Sequence, residues 1–361
     1  MKVIWIGLFL TCFLWTAPAH AAYYQIYDDA ERLIYTTGWS IRTDDQFITA
    51  DNKRYQIYQV NGTRAVAKLI GDVSISSLHQ HYASMPTVHA ADIPKVAIYH
   101  THTDESYEPT DGTDSINGKG GIVEVGYAFA TALEAHGIEV THSDTIHNPH
   151  DDMAYERSRR TALSLIKHTP DAIFDIHRDA TPPEAYAGIV DEQEVAKIQL
   201  VVGRYGATSE QIEDYALRLK ASSDNLHPGL VKGIFFAKGG DYNQDLHPRS
   251  MLIEAGAHTN TREEAERGIA MFADAIPPVL MNTAHASEAT AQASGIGSVA
   301  NPNSSAGMRS IIWIVGFTIA GGIIYLLIST GSIEGAKIKA KNFVTREFND
   351  VWQKDKKHKE K

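Results

Sequence analysis

Cysteine is all but absent: the single one in 361 residues is Cys12, and it stands inside an apolar N-terminal stretch. Without a second thiol there is no disulfide framework, no thiolate zinc site and no thiol placed as a nucleophile. Any metal must be held by histidines and carboxylates, which are plentiful at 17 His and 44 Asp+Glu. Positive charge is scarce by comparison. The 33 Lys+Arg leave a formal net charge of -11, the wrong sign for a chain that binds nucleic acid by neutralising phosphates. Heptads, collagen-like repeats and a His-Glu-x-x-His helix are missing as well. What is left, with 43% hydrophobic residues, 27 Gly and 13 Pro, is ordinary globular composition with room for one or two domains.

Long hydrophobic runs occur twice. Lys2, an apolar run over residues 3–15 and then Ala17-Pro18-Ala19-His20-Ala21 have the order of a secretory signal peptide, residues 1–21. Cleavage after Ala21 is expected, with a retained anchor as the alternative. Residues 311–328 carry no charge; at 1.5 Å per residue they cover most of a hydrocarbon core of roughly 30 Å, which predicts a transmembrane helix. The tail that follows (329–361) holds nine basic residues against five acidic ones, so the positive-inside rule puts it in the cytoplasm. The expected placement is therefore a single-pass protein of the cell membrane, its main domain extracytoplasmic, with residues 283–310 as a flexible polar linker.

Between these segments two patterns follow one another. Residues 22–92 are rich in Tyr, Thr, Val and Ile, with Asn61-Gly62 as a hairpin signal, which predicts a small mainly β region; no chemistry is legible in it. Residues 93–282 alternate short apolar runs with helical spacing: strands near 95–100, 138–142, 172–177, 199–202 and 251–254, helices near 121–136, 153–168 and 210–222. Thr261-Arg262-Glu263-Glu264 has capping-box order before one more helix. The fold class expected is α/β: an open mixed sheet flanked by helices.

Titratable side chains gather at the carboxyl ends of those strands, where open α/β sheets bind ligands. His100 and His102 follow the first strand, His177 ends the third, Glu254 ends the last, and Glu124 falls early in the first helix. Two imidazoles and a carboxylate make the ligand set of a catalytic zinc, and a further carboxylate can take a proton from the attacking water. Blander readings exist for each: a hydrogen-bonded strand histidine for His177, an ion pair with Arg249 or Arg178 for Glu254, and helix-start stabilisation for Glu124. They explain the four groups less well together than singly.

The runs Ile98-Tyr99-His100-Thr101-His102-Thr103-Asp104-Glu105-Ser106-Tyr107, Asp175-Ile176-His177-Arg178-Asp179, Tyr242-Asn243-Gln244-Asp245-Leu246 and Leu252-Ile253-Glu254-Ala255-Gly256-Ala257-His258-Thr259-Asn260 resemble the stage II sporulation protein P family. That family is similar to the zinc-dependent N-acetylmuramoyl-L-alanine amidases. The resemblance covers about half the chain and implies an amidase-like fold and an extracytoplasmic peptidoglycan hydrolase. Such an enzyme cuts the amide between N-acetylmuramic acid and L-alanine, and in this family peptide cross-links too. Carried over residue by residue, it implies zinc (Zn2+) on His102, Glu124 and His177, with His100 as the alternative to His102, and Glu254 as catalytic base. Glu105, inside the first motif, is implied in positioning substrate or acting on the water. No substrate-binding residue is singled out.

In a sporulation setting the resemblance further implies, as partners in engulfment, a glycan-cleaving transglycosylase and a membrane anchor protein. Better-known members carry an N-terminal membrane segment, so the C-terminal anchor expected here departs from the pattern and weakens a sporulation role. Two competing readings remain: a catalytically silent wall-binding or scaffold module that recruits a hydrolase, and a metallo-carboxypeptidase that trims stem peptides.

Overall fold

The computed structural model describes residues 23–74 and 93–280. The expected signal peptide, the linker, the apolar stretch 311–328 and the basic tail lie outside the described residues. Among the described residues no helix is long and apolar enough to cross a membrane. That finding stands against the expected membrane helix and against a single-pass membrane placement, and neither is carried further.

Thirteen strands are described: β1 (Tyr24–Tyr27), β2 (Leu33–Thr37), β3 (Gln46–Thr49), β4 (Lys53–Asn61), β5 (Arg64–Asp72), β6 (Lys95–Tyr99), β7 (Glu139–His142), β8 (Ala172–Asp179), β9 (Ala187–Val190), β10 (Gln193–Ala196), β11 (Ile198–Gly203), β12 (Val231–Ala237) and β13 (Ser250–Ala257). Apart from short single turns, the helices are α1 (Ile122–Ala135), α2 (Ala154–Ile166), α3 (Ser209–Leu226) and α4 (Arg262–Ala273). The capping box of α4 is present: the Thr261 side chain accepts from the Glu264 amide, and Glu264 accepts from the Thr261 amide. At the tip of the β4–β5 hairpin Gly62 has φ +59°, the left-handed backbone that explains the glycine there.

Eleven strands form one sheet in the order β2-β1-β5-β4-β3-β12-β11-β13-β8-β6-β7. Here the expected fold class needs correction. The N-terminal β region is no separate module: β3 pairs antiparallel with β12, so strands β1 to β5 extend the same sheet. The expectation failed at β12, whose sequence Val-Lys-Gly-Ile-Phe-Phe-Ala is a short apolar run without telling periodicity, and it is β12 that joins the two parts. The small β9–β10 hairpin was likewise not foreseen.

Register decides which side chains can meet. Along a strand alternate residues face opposite sides. In β8, Ala172, Phe174 and Ile176 belong to one apolar cluster together with α1 and α4 residues such as Phe129, Leu133, Ile269 and Phe272. Ile173 packs on the other face against Ala162 and Leu165 of α2. Asp175, His177 and Asp179 share that second face. In β13, Met251, Ile253 and Ala255 join the first cluster, which leaves Leu252 and Glu254 on the second. The β8–β13 register sets Glu254 directly opposite His177, and the β11–β13 register sets Gln199 opposite Glu254. Three adjacent strands thus bring three polar side chains abreast on a face otherwise buried by apolar contacts.

The helical layer on the first face sits unusually close to the hairpin. A Cβ at Gly268 of α4 would lie 2.1 Å from the Ala196 carbonyl oxygen of β10. Helix propensity favours alanine over glycine by about 1 kcal/mol, but backbone cannot yield as a side-chain tip can. Gly268→Ala is therefore expected to destabilise the fold by about 1–3 kcal/mol. A denaturant midpoint equal to or above wild type would contradict this close approach.

Candidate active site

Strand β6 runs parallel to β7 on one side and to β8 on the other, so the chain leaves β6 at the point where successive connections diverge. At such a switch point the carboxyl ends of the strands open a crevice. The loop after Tyr99 enters it with His102 and Glu105, while His177 and Glu254 reach it from β8 and β13. Donor atoms of His102, Glu105 and His177 all lie within 4.8 Å of one another. Glu105 bridges the two rings, its Oε1 3.3 Å from His102 Nδ1 and its Oε2 3.5 Å from His177 Nδ1. The Arg178 amide donates to Glu105 Oε2 at 3.0 Å.

A second layer lies behind the first. His177 Nε2 lies 3.0 Å from Asp175 Oδ1, and Asp175 accepts from the Thr101 amide at 2.8 Å and the Thr101 hydroxyl at 2.6 Å. A histidine with one nitrogen toward a site and the other toward a carboxylate is the usual arrangement around a metal. The electrostatics agree. Burial opposes charge on His177, yet the carboxylates of Asp175 and Glu105 outweigh it and hold the ring well above the ordinary imidazole range. Burial also works against Glu105, but His177 and His102 carry its carboxyl well below the usual value. Two buried carboxylates around imidazoles make a place that favours a cation. Two imidazole nitrogens and a carboxylate oxygen, with Asp175 behind, fit zinc.

Glu254 is buried and held by a residue from the N-terminal part of the sheet. The Trp39 indole N–H donates to its Oε1 at 2.7 Å, while Oε2 is buried and has no hydrogen-bond partner. Burial, and then the nearby Asp179 carboxylate, push its pKa well above the carboxylate range. Asp179 is itself satisfied by the Gly38 amide (2.8 Å) and the Tyr186 hydroxyl (2.8 Å). Trp39 meets Tyr242 edge-on at 5.0 Å, and Tyr242 in turn meets Tyr155 at 5.4 Å between ring centroids. These rings line a cleft of about 650 Å³ together with His102, Glu105, His177 and Glu254.

His102, His177 and Glu254 line this cleft. His100 is fully buried beside it and otherwise engaged: Nδ1 lies 2.9 Å from the Ile176 carbonyl oxygen and Nε2 2.8 Å from His142 Nε2. Burial first, then His142, pull its pKa down to about 3. Because β6 stops at Tyr99, His100 and His102 both lie in the loop that follows it, and only His102 lines the cleft. Glu124 is not brought to the histidines. It is exposed on α1, where its charge acts on Glu266 of α4, and Glu105 occupies the position between the rings. Glu105 was visible in the first motif. Trp39 lay in a region where no chemistry could be read, and a lone Gly-Trp pair offers no signal.

Comparison with known proteins places this geometry in context. The family model described as Stage II sporulation protein P matches residues 44–277. The stage II sporulation protein P of Bacillus subtilis (strain 168) is 32% identical over 209 residues, 52% of this chain and 52% of the relative. The chain thus spans about half the length of that curated relative. Among solved structures, the N-acetylmuramyl-L-alanine amidase Ami1 from Mycobacterium smegmatis is similar at 19% identity and a TM-score of 0.32, covering 52% of this chain and 95% of that one. The CwlD amidase from Clostridioides difficile, in complex with the GerS lipoprotein, is similar at 14% identity and a TM-score of 0.34, covering 52% and 98%. Both scores are low.

Proposed function

Since the chain belongs to the stage II sporulation protein P family, we propose that it is a zinc-dependent peptidoglycan hydrolase that cuts the amide between N-acetylmuramic acid and L-alanine. The observation that carries this reading is the convergence of His102, Glu105 and His177 within 4.8 Å beside a buried carboxylate, Glu254, with one oxygen unpartnered. In this reading His102, Glu105 and His177 hold the metal and Asp175 orients His177. The zinc, when bound, supplies Lewis acidity to the amide carbonyl and to a water molecule.

Glu254 handles the protons. Trp39 occupies Oε1, so Oε2 is the atom left to take a proton from the attacking water and pass it to the departing nitrogen. Burial and the Asp179 carboxylate make Glu254 hold a proton more readily than a free carboxyl does. A chain that only recruited a hydrolase would have no use for a carboxyl kept buried with a free oxygen. A glycan-cleaving transglycosylase is a fitting partner, because removal of stem peptides and scission of glycan strands act on different bonds of one polymer.

The role of Trp39 is separable from that of the metal. Trp39→Phe keeps the ring and deletes the donor; hydrogen bonds to charged groups contribute about 1.5–3 kcal/mol, so kcat is expected to fall about tenfold or more. KM and zinc content should stay close to wild type. An unchanged kcat would mean that the Trp39 hydrogen bond to Glu254 plays no part in the reaction. Product analysis tests the bond assignment: release of stem peptides with a free L-alanine amino group marks the amidase, and shortened peptides still attached to glycan mark a peptidase.

A further inference from the structure

We propose that Arg42 is a subsite for a carboxylate of the stem peptide, an inference that rests on the amide-hydrolase reading and deepens it. The cleft that holds the metal-binding cluster and Glu254 is also lined by Arg42, Arg178, Asp152, Asp179 and Asp241. Its two arginines differ sharply. Arg178 spends its guanidinium inside the protein, on the carbonyl oxygens of Ser106 (3.3 Å) and Asp114 (2.8 Å). Arg42 is exposed, and its guanidinium makes no hydrogen bond or ion pair with any described residue.

The position of Arg42 is nevertheless fixed. Its backbone amide donates to Asp45 Oδ2 at 2.6 Å, and Asp45 Oδ1 accepts from the Lys238 amide at 2.7 Å, which staples the β2–β3 loop to the end of β12. The guanidinium lies over Gly239, where a Cβ would come within 3.3 Å of Arg42 Cζ. A larger residue there would press on the side chain. An arginine whose main chain is anchored, whose guanidinium lies over a glycine and whose five N–H donors are unused by described residues is prepared for a planar anion, and carboxylate matches the guanidinium fork.

Distance along the chain indicates which part of the substrate it meets. Arg42 follows Trp39 by three residues, at most about 11 Å of backbone, and Trp39 touches Glu254. A carboxylate one or two residues beyond the scissile amide lies within that reach. The stem peptide offers two there: the α-carboxylate of its second residue, left free by the γ-linkage, and the side-chain acid of a diaminopimelate at the third. The acidic lining around Arg42 would repel either one without this counter-charge.

The test uses the purified full chain loaded with zinc and synthetic muramyl peptides in acid and amide forms at the second or the third residue. Wild type is expected to prefer the acid at one of these positions by about tenfold in kcat/KM, expressed in KM, the size of a partly exposed charge-assisted contact. Arg42→Gln should shrink that preference to within about twofold while keeping kcat on the amide substrate and zinc content; Arg42→Lys should restore part of it. The position at which the preference vanishes identifies the carboxylate. A variant that keeps the wild-type acid preference at both positions, or a wild type with none, overturns the assignment of Arg42 and leaves the hydrolase reading standing. A zinc-loaded wild type that cleaves none of the substrates overturns both.

Discussion

Exchanging Glu105 for glutamine is expected to deprive the protein of zinc and of activity, whereas the same exchange at Glu124 is expected to leave both in place. The contrast follows from position. Glu105 is buried between His102 and His177, within 3.3 and 3.5 Å of their Nδ1 atoms; Glu124 is exposed on α1. Changes to groups that only orient a ligand cost metal affinity about 10–100-fold, so loss of a ligand itself should cost about 100-fold or more. Glutamine keeps the shape and removes the charge that two imidazoles and a divalent cation require. Zinc measured after dialysis in the two variants decides the matter, and a zinc-free Glu124→Gln beside a zinc-loaded Glu105→Gln would reverse the assignment.

Glu254→Gln should separate binding from chemistry. The side chain stays buried, Trp39 still finds an oxygen to donate to, and zinc content should remain at the wild-type level. What disappears is an atom able to take a proton from water and return it to the leaving nitrogen. Loss of a positioned general base costs about 10²–10⁴-fold, and kcat is expected to fall by that much with little change in KM. If Glu254→Gln hydrolysed peptidoglycan at the wild-type rate, the buried carboxyl would have to be structural. Its register opposite His177 would then need another explanation.

Much of this arrangement is legible in the sequence, for physical reasons that differ from residue to residue. Val96 and Ile98 alternate with Ala97 and Tyr99 across β6 because both faces of the strand are buried, and such runs announce themselves. Thr261 and Glu264 announce the start of α4 because the capping box is a local device. His177 and Glu254 stand in the carboxyl-terminal halves of β8 and β13, near the edge where an α/β sheet exposes its chemistry.

Glu105 was harder to weigh. It lies in a loop after β6, and loops have no period from which a direction can be read. Trp39 and Arg42 were out of reach altogether, since their relation to Glu254 depends on the pairing of β3 with β12, a contact between segments far apart in the chain. Pairing of that kind is set by the whole sheet and leaves no mark in a short window of sequence.

The proposed zinc-dependent amidase centre of His102, Glu105, His177 and Glu254 is read most plainly in its products. Mass spectrometry of the products released from purified peptidoglycan by the full chain, with and without a chelator, tests it most directly. Free stem peptides beginning with L-alanine and glycan strands left uncut are expected, with release abolished by the chelator and restored by added zinc. Wall binding without any released peptide, or release that a chelator does not touch, would contradict it.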